Sequence, residues 1–87
     1  METAEDRLSL DELADRGTDI FVRRITPLLQ PHDDGKYVAI DVLSGDYEID
    51  SDDYWAVTRL QERRPAAQVW LEKAGRPTAY KMLRARQ

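Results

Sequence analysis

The spacing of hydrophobic and polar positions changes period along the chain, and each change predicts an element. Ser9-Leu10-Asp11-Glu12 has the form of a capping box, in which a serine oxygen and a glutamate carboxylate satisfy backbone N–H groups that a helix start leaves unpaired. A short helix over about 9–16 is predicted, closed by Gly17. Thr18-Asp19 offers a second N-cap. Beyond it Phe21, Val22, Ile25, Leu28 and Leu29 fall on one arc of a helical wheel, with Arg23 and Arg24 facing away. Pro27 has no N–H to donate and collides with the preceding turn, so regular helix is expected to end or kink near Thr26. The following Gln30-Pro31-His32-Asp33-Asp34-Gly35 is a loop by composition.

From Tyr37 the period drops to two. Val38, Ile40 and Val42 alternate with Tyr37, Ala39 and Asp41; after Leu43-Ser44-Gly45, Tyr47 and Ile49 alternate with Asp46, Glu48 and Asp50. This is the pattern of a β-hairpin over 35–50, apolar on one side and carrying an acidic row on the other. Ser51 with Asp52 and Asp53 then opens a helix that runs to Arg63 or Arg64 and stops at Pro65. Its core arc is Ala56, Val57 and Leu60, while Trp55 lies opposite with Arg59 and Glu62. A third strand is predicted over 68–73. After Gly75, residues 78–83 return as a fourth strand or form a short C-terminal helix, since Ala, Lys, Met, Leu and Arg also favour helix.

The expected fold is therefore α+β in the order ααββαββ: two N-terminal helices, a β-hairpin, a central helix and a second hairpin, around a small antiparallel or mixed sheet. Residues 1–8 read as a flexible start, 9–34 as the helical segment, 35–83 as the ββαββ core and 84–87 as a frayed end. By alternation alone, Tyr37, Ala39 and Trp70 share one face of the sheet and Val38, Ile40, Val42, Val69 and Leu71 the other. Apolar residues on both faces require two covers, and the central helix supplies one. The other is provided by the N-terminal helices, which would then also cover Trp55, or by a second copy of the chain, or by another protein.

Composition narrows the function classes. With 87 residues the chain makes one domain, and a domain of that size buries only about 60–65% of its unfolded surface. There is no cysteine, hence no disulfide and no thiolate metal site. No apolar run approaches the roughly 18 residues of a membrane span and no leader pattern is present, so a soluble, cytoplasmic protein is expected. The net charge of -4 conceals an uneven distribution. Residues 33–53 hold eight acids against Lys36, whereas residues 54–87 hold eight bases against Glu62 and Glu72. The basic third, interleaved with Trp70 and Tyr80, suggests a nucleic-acid-binding regulator, but the isoelectric point near 4.9 and the lack of any nucleic-acid motif argue against one.

Candidate chemistry is sparse. An EF-hand loop begun at Asp46 needs glycine at its sixth position and glutamate at its twelfth, and meets Ser51 and Val57 instead. His32, the single histidine, sits in a loop beside Asp33 and Asp34, with no nucleophile signature around any serine or threonine. Gly35, Gly45 and Gly75 are isolated at turns and form no phosphate loop. No catalytic residue, cofactor or metal is expected, and no enzymatic activity.

Gly35-Lys36-Tyr37-Val38-Ala39-Ile40-Asp41, Gly45-Asp46-Tyr47-Glu48-Ile49-Asp50, Ala67-Gln68-Val69-Trp70-Leu71 with Gly75, and Ala79-Tyr80 together resemble a family of small uncharacterised bacterial proteins. The resemblance covers roughly 35–83. It implies a β-hairpin, helix, β-hairpin unit, brings no catalytic residues, and implies an antitoxin-like or accessory role beside a neighbouring protein. The expectation is a non-enzymatic protein-interaction module whose partner is another protein or a second copy of itself. The Phe21, Ile25 and Leu28 stripe, with Trp55 and Trp70, would supply its anchors, and the row Asp46, Glu48 and Asp50 would steer a basic partner.

Overall fold

A computed structural model describes residues 7–75. In it, α1 (Leu10–Ile20) passes into a π-helical turn (Phe21–Ile25) and a 3-10 turn (Thr26–Leu28). A further 3-10 turn (Pro31–Asp33) precedes β1 (Tyr37–Asp41), β2 (Tyr47–Asp50), α2 (Asp53–Arg63) and β3 (Val69–Lys73). The class is α+β, with a three-stranded antiparallel sheet. The order differs from expectation: one long helical segment replaces two N-terminal helices, and after the hairpin come one helix and one strand. The expected element at 78–83 and the end at 84–87 lie outside the described residues, as do residues 1–6 of the expected flexible start.

The capping box forms as read: Ser9 Oγ accepts from the Glu12 N–H at 3.1 Å, and Glu12 Oε1 accepts from the Ser9 N–H at 2.9 Å. Gly17 does not end the helix. It is buried within α1, and a Cβ there would lie 2.2 Å from Cγ of Trp70. The glycine serves close approach of an indole to helix backbone, a purpose invisible without the tertiary partner. Thr18 is not a cap; its hydroxyl is 3.4 Å from Glu72 Oε2, the same oxygen that accepts from Trp70 Nε1 at 2.8 Å.

Pro27 acts upstream of itself. In a regular α-helix its ring would meet the carbonyl four residues back. Here the preceding turn is widened, so that the Thr26 N–H bonds the Phe21 carbonyl, which also accepts from Thr26 Oγ1 at 2.9 Å. The widening shifts the helical phase. Phe21 and Ile25 are buried, but Val22 and Leu28, expected on the same arc, are 57% and 59% exposed.

β1 is the central strand, in the order β2-β1-β3. Asp41 organises the hairpin turn, its carboxylate accepting from the Leu43 N–H at 3.1 Å and from Ser44 Oγ at 2.7 Å, while Gly45 takes φ +84°. β2 and β3 are both antiparallel to β1, hence parallel to each other, and α2 makes the crossover between them. The register pairs Ile40 with both Tyr47 and Trp70, and Ala39 with both Glu48 and Leu71. Trp70 therefore shares the face of Val38, Ile40 and Val42. Leu71 shares that of Ala39, and Val69 packs there too, the reverse of the alternation reading for β3. Alternation assigns faces within a strand, but only register relates one strand to the next.

Both faces are covered by the chain itself. The helical segment lays Phe21 and Ile25 on Val38, Ile40 and Val42. α2 lays Ala56 and Leu60 on Ala39. Among the described residues the N-terminal segment does not extend to Trp55, which stays 50% exposed.

Candidate functional site

α2 presents different chemistry on its two sides. Asp52 caps it, accepting from the Tyr54 N–H at 2.9 Å, one residue later than the expected Ser51. The Asp52 N–H in turn donates to Asp50 Oδ1 at 2.9 Å, which ties the helix start to the end of β2. Apolar positions at 56 and 60 turn that side of the helix to the sheet.

On the sheet side, charge rows meet. Alternate residues of a strand recur about 6.7 Å apart and helix residues four apart about 6 Å, so the two rows stay in step over two contacts. They run in opposite directions. Arg59 Nη1 lies 3.5 Å from Asp50 Oδ2, and Arg63 Nε donates to Glu48 Oε2 at 2.8 Å. Asp46 receives the Arg63 guanidinium and also Arg64 Nε at 2.9 Å. Arg63 Nη2 donates as well to the Tyr47 carbonyl at 3.1 Å, covering a backbone acceptor of β2. Hydrogen bonds from Arg63, then Arg64, hold the Asp46 carboxyl well below the usual carboxylate range, and those to Asp46 and Glu48 raise Arg63 further. The acidic row expected to steer a partner is thus engaged inside the molecule.

On the outer side, Tyr54 and Trp55 stand next to each other at 64% and 50% exposure. Their rings meet edge to face, centroids 5.2 Å apart at 78°. Trp55 was singled out from its helical phase. Tyr54 was missed, although it neighbours Trp55 on the arc away from Ala56 and Leu60. The arginines opposite the acidic row were missed too, since two periods had to be matched across an unknown packing.

The expected anchors do not converge. Phe21 and Ile25 are core at 7% and 1% exposure, and Trp70 packs with them. Leu28 is exposed on its 3-10 turn, and Asp46, Glu48 and Asp50 lie on the opposite face of the sheet from that core.

Other polar groups have structural explanations. Buried Asp33 accepts from the Gln30 N–H at 2.9 Å, which lowers its pKa, and His32 Nε2 is 3.5 Å from its other oxygen. Buried Asp41 also accepts from the Gln68 N–H at 3.1 Å. Of the basic third, Arg59, Arg63 and Arg64 are paired with acids, and Lys73 Nζ sits 5.5 Å from the Tyr37 ring centroid. Arg76, Lys81, Arg84 and Arg86 lie outside the described residues. Among the described residues no three His, Cys, Asp or Glu side chains group as metal ligands, and no helix is long and apolar enough to cross a membrane. Comparison with family models, curated proteins and solved structures gives no match to this chain.

Proposed function

We propose that this chain is a cytoplasmic, non-enzymatic protein-interaction module, of the antitoxin-like or accessory kind that the resemblance implies, and that it engages its partner through the outer face of α2. The carrying observation is the exposed Tyr54–Trp55 pair on the first turn of a helix whose other side is anchored to the sheet. Tyrosine and tryptophan dominate interface hot spots, and a mount held by packing loses little entropy when a partner binds. Among the described residues, pairing of Arg59, Arg63 and Arg64 with acids favours a protein partner over nucleic acid.

The test is affinity capture with the tagged full chain from its native lysate, at moderate salt after nuclease treatment. The wild-type chain is expected to retain one stoichiometric protein, as is Leu28→Ala, while Tyr54→Ala/Trp55→Ala loses it with an unchanged melting temperature. Retention of that protein by the double variant overturns the assignment of the α2 face.

A further inference from the structure

We infer that the occupant of the outer α2 face is a short basic segment of the partner, with one Arg or Lys side chain over Trp55 and its other basic side chains toward the carboxylates of Asp52, Asp53 and Glu62. This rests on the reading of α2 as the binding face and names the partner's chemistry. Glu62 lies seven residues from Trp55, two turns along the same stripe, and Asp52 and Asp53 precede the aromatic pair as the N-cap and the first residue of the helix. All three acids are exposed and have no cationic partner among the described residues. The bases of α2 are taken: Arg59 faces Asp50, and Arg63 faces Asp46 and Glu48. Just past its end, Arg64 faces Asp46.

Among the described residues the outer face is therefore aromatic and negative, because its neighbouring cations are drawn to the acidic row of β2. Two carboxylates at the first turn also outweigh the positive end of the helix dipole. An indole face attracts guanidinium or ammonium through its quadrupole, and the carboxylates add charge complementarity; a phosphate-bearing partner would meet repulsion. Eleven helical residues span about 16 Å, room for about five residues of extended peptide.

The test titrates the isotope-labelled full chain with a hexapeptide alternating Arg and Gly, and with its Glu/Gly counterpart, following backbone amide shifts. Shifts confined to 52–62 are expected with the arginine peptide and none with the glutamate peptide. Trp55→Ala should weaken binding about two- to fivefold. Asp53→Asn/Glu62→Gln should weaken it similarly and flatten its salt dependence, while Asp11→Asn/Asp15→Asn, acids on α1, should change nothing. Shifts spread over α1, or unchanged affinity in Trp55→Ala, overturn the inference. In the capture experiment, a protein lost with Tyr54→Ala/Trp55→Ala but kept with Asp53→Asn/Glu62→Gln leaves the α2 reading standing and removes the basic occupant. A protein kept by both removes the α2 reading itself.

Discussion

One face of the sheet is covered by the helical segment of residues 10–28, which buries Phe21 and Ile25 against Val38, Ile40 and Val42 and admits Trp70 over Gly17. The other is covered by α2, whose buried side chains are only Ala56 and Leu60, and whose flank is fastened by Arg59, Arg63 and Arg64 to the acidic row of β2. Ala56 lets α2 lie close to Ala39, while the ion pairs fix its direction along the strand. The first face rests on apolar burial, which salt hardly touches. The second adds exposed electrostatics, individually weak and screened by salt. Because the first arrangement needs no charge and the second draws the arginines inward, acids with no cationic partner among the described residues and the aromatic pair are left on the outer side of α2.

This comparison breaks most directly at Ile25, which is 1% exposed. Ile25→Ala removes buried volume from the thicker core and should cost about 2–5 kcal/mol in urea unfolding, with little change between low and high salt. A cost that varies with salt would mean that this face is not held by burial.

A smaller effect is expected at Gly17. Alanine there gains about 1 kcal/mol of helix propensity, but its Cβ would overlap the base of the Trp70 side chain at 2.2 Å. The steric term wins, for a net destabilisation of about 1–3 kcal/mol. In a Trp70→Ala background the sign should reverse, so a double-mutant cycle in urea separates close approach from propensity. Additivity of the two changes would refute the contact.

The smallest effect belongs to Asp46. Its folded pKa is depressed by Arg63 and Arg64, so its contribution is complete above the unfolded carboxylate value near 3.9 and is lost as pH falls below that toward the folded value. Thermal melts of wild type and Asp46→Asn should differ by a few degrees at most near neutrality, and converge in acid and in about 1 M salt. A gap that widens on acidification would have the wrong sign for this ion-pair row.

Much of the local architecture was legible from residue order. The capping box at Ser9 and Glu12, the hairpin of β1 and β2, the extent of α2 and the outward position of Trp55 depend on neighbours a few residues apart, and these formed. Two misreadings are local, the phase shift at Pro27 that exposes Val22 and Leu28 and the cap at Asp52 in place of Ser51; the larger ones involve residues distant in sequence. Gly17 had the local signature of a helix end, yet it is the seat of an indole 53 positions later. Phe21 and Ile25 looked like a stripe available to a partner because nothing local shows that β1 lies beneath them. The acidic row looked free because its arginines sit on another element, in register with it only once α2 has packed.

The sequence by itself determined the helix start at Ser9, the hairpin of β1 and β2, and the extent and apolar side of α2, since capping, turn chemistry and side-chain period act within a few residues. Only the tertiary structure decided the strand register, the continuity of the first helix through Gly17, and which charges are neutralised within the chain. Those outcomes depend on contacts between residues far apart in sequence, where packing overrides local preference and pairs the arginines of one element with the carboxylates of another.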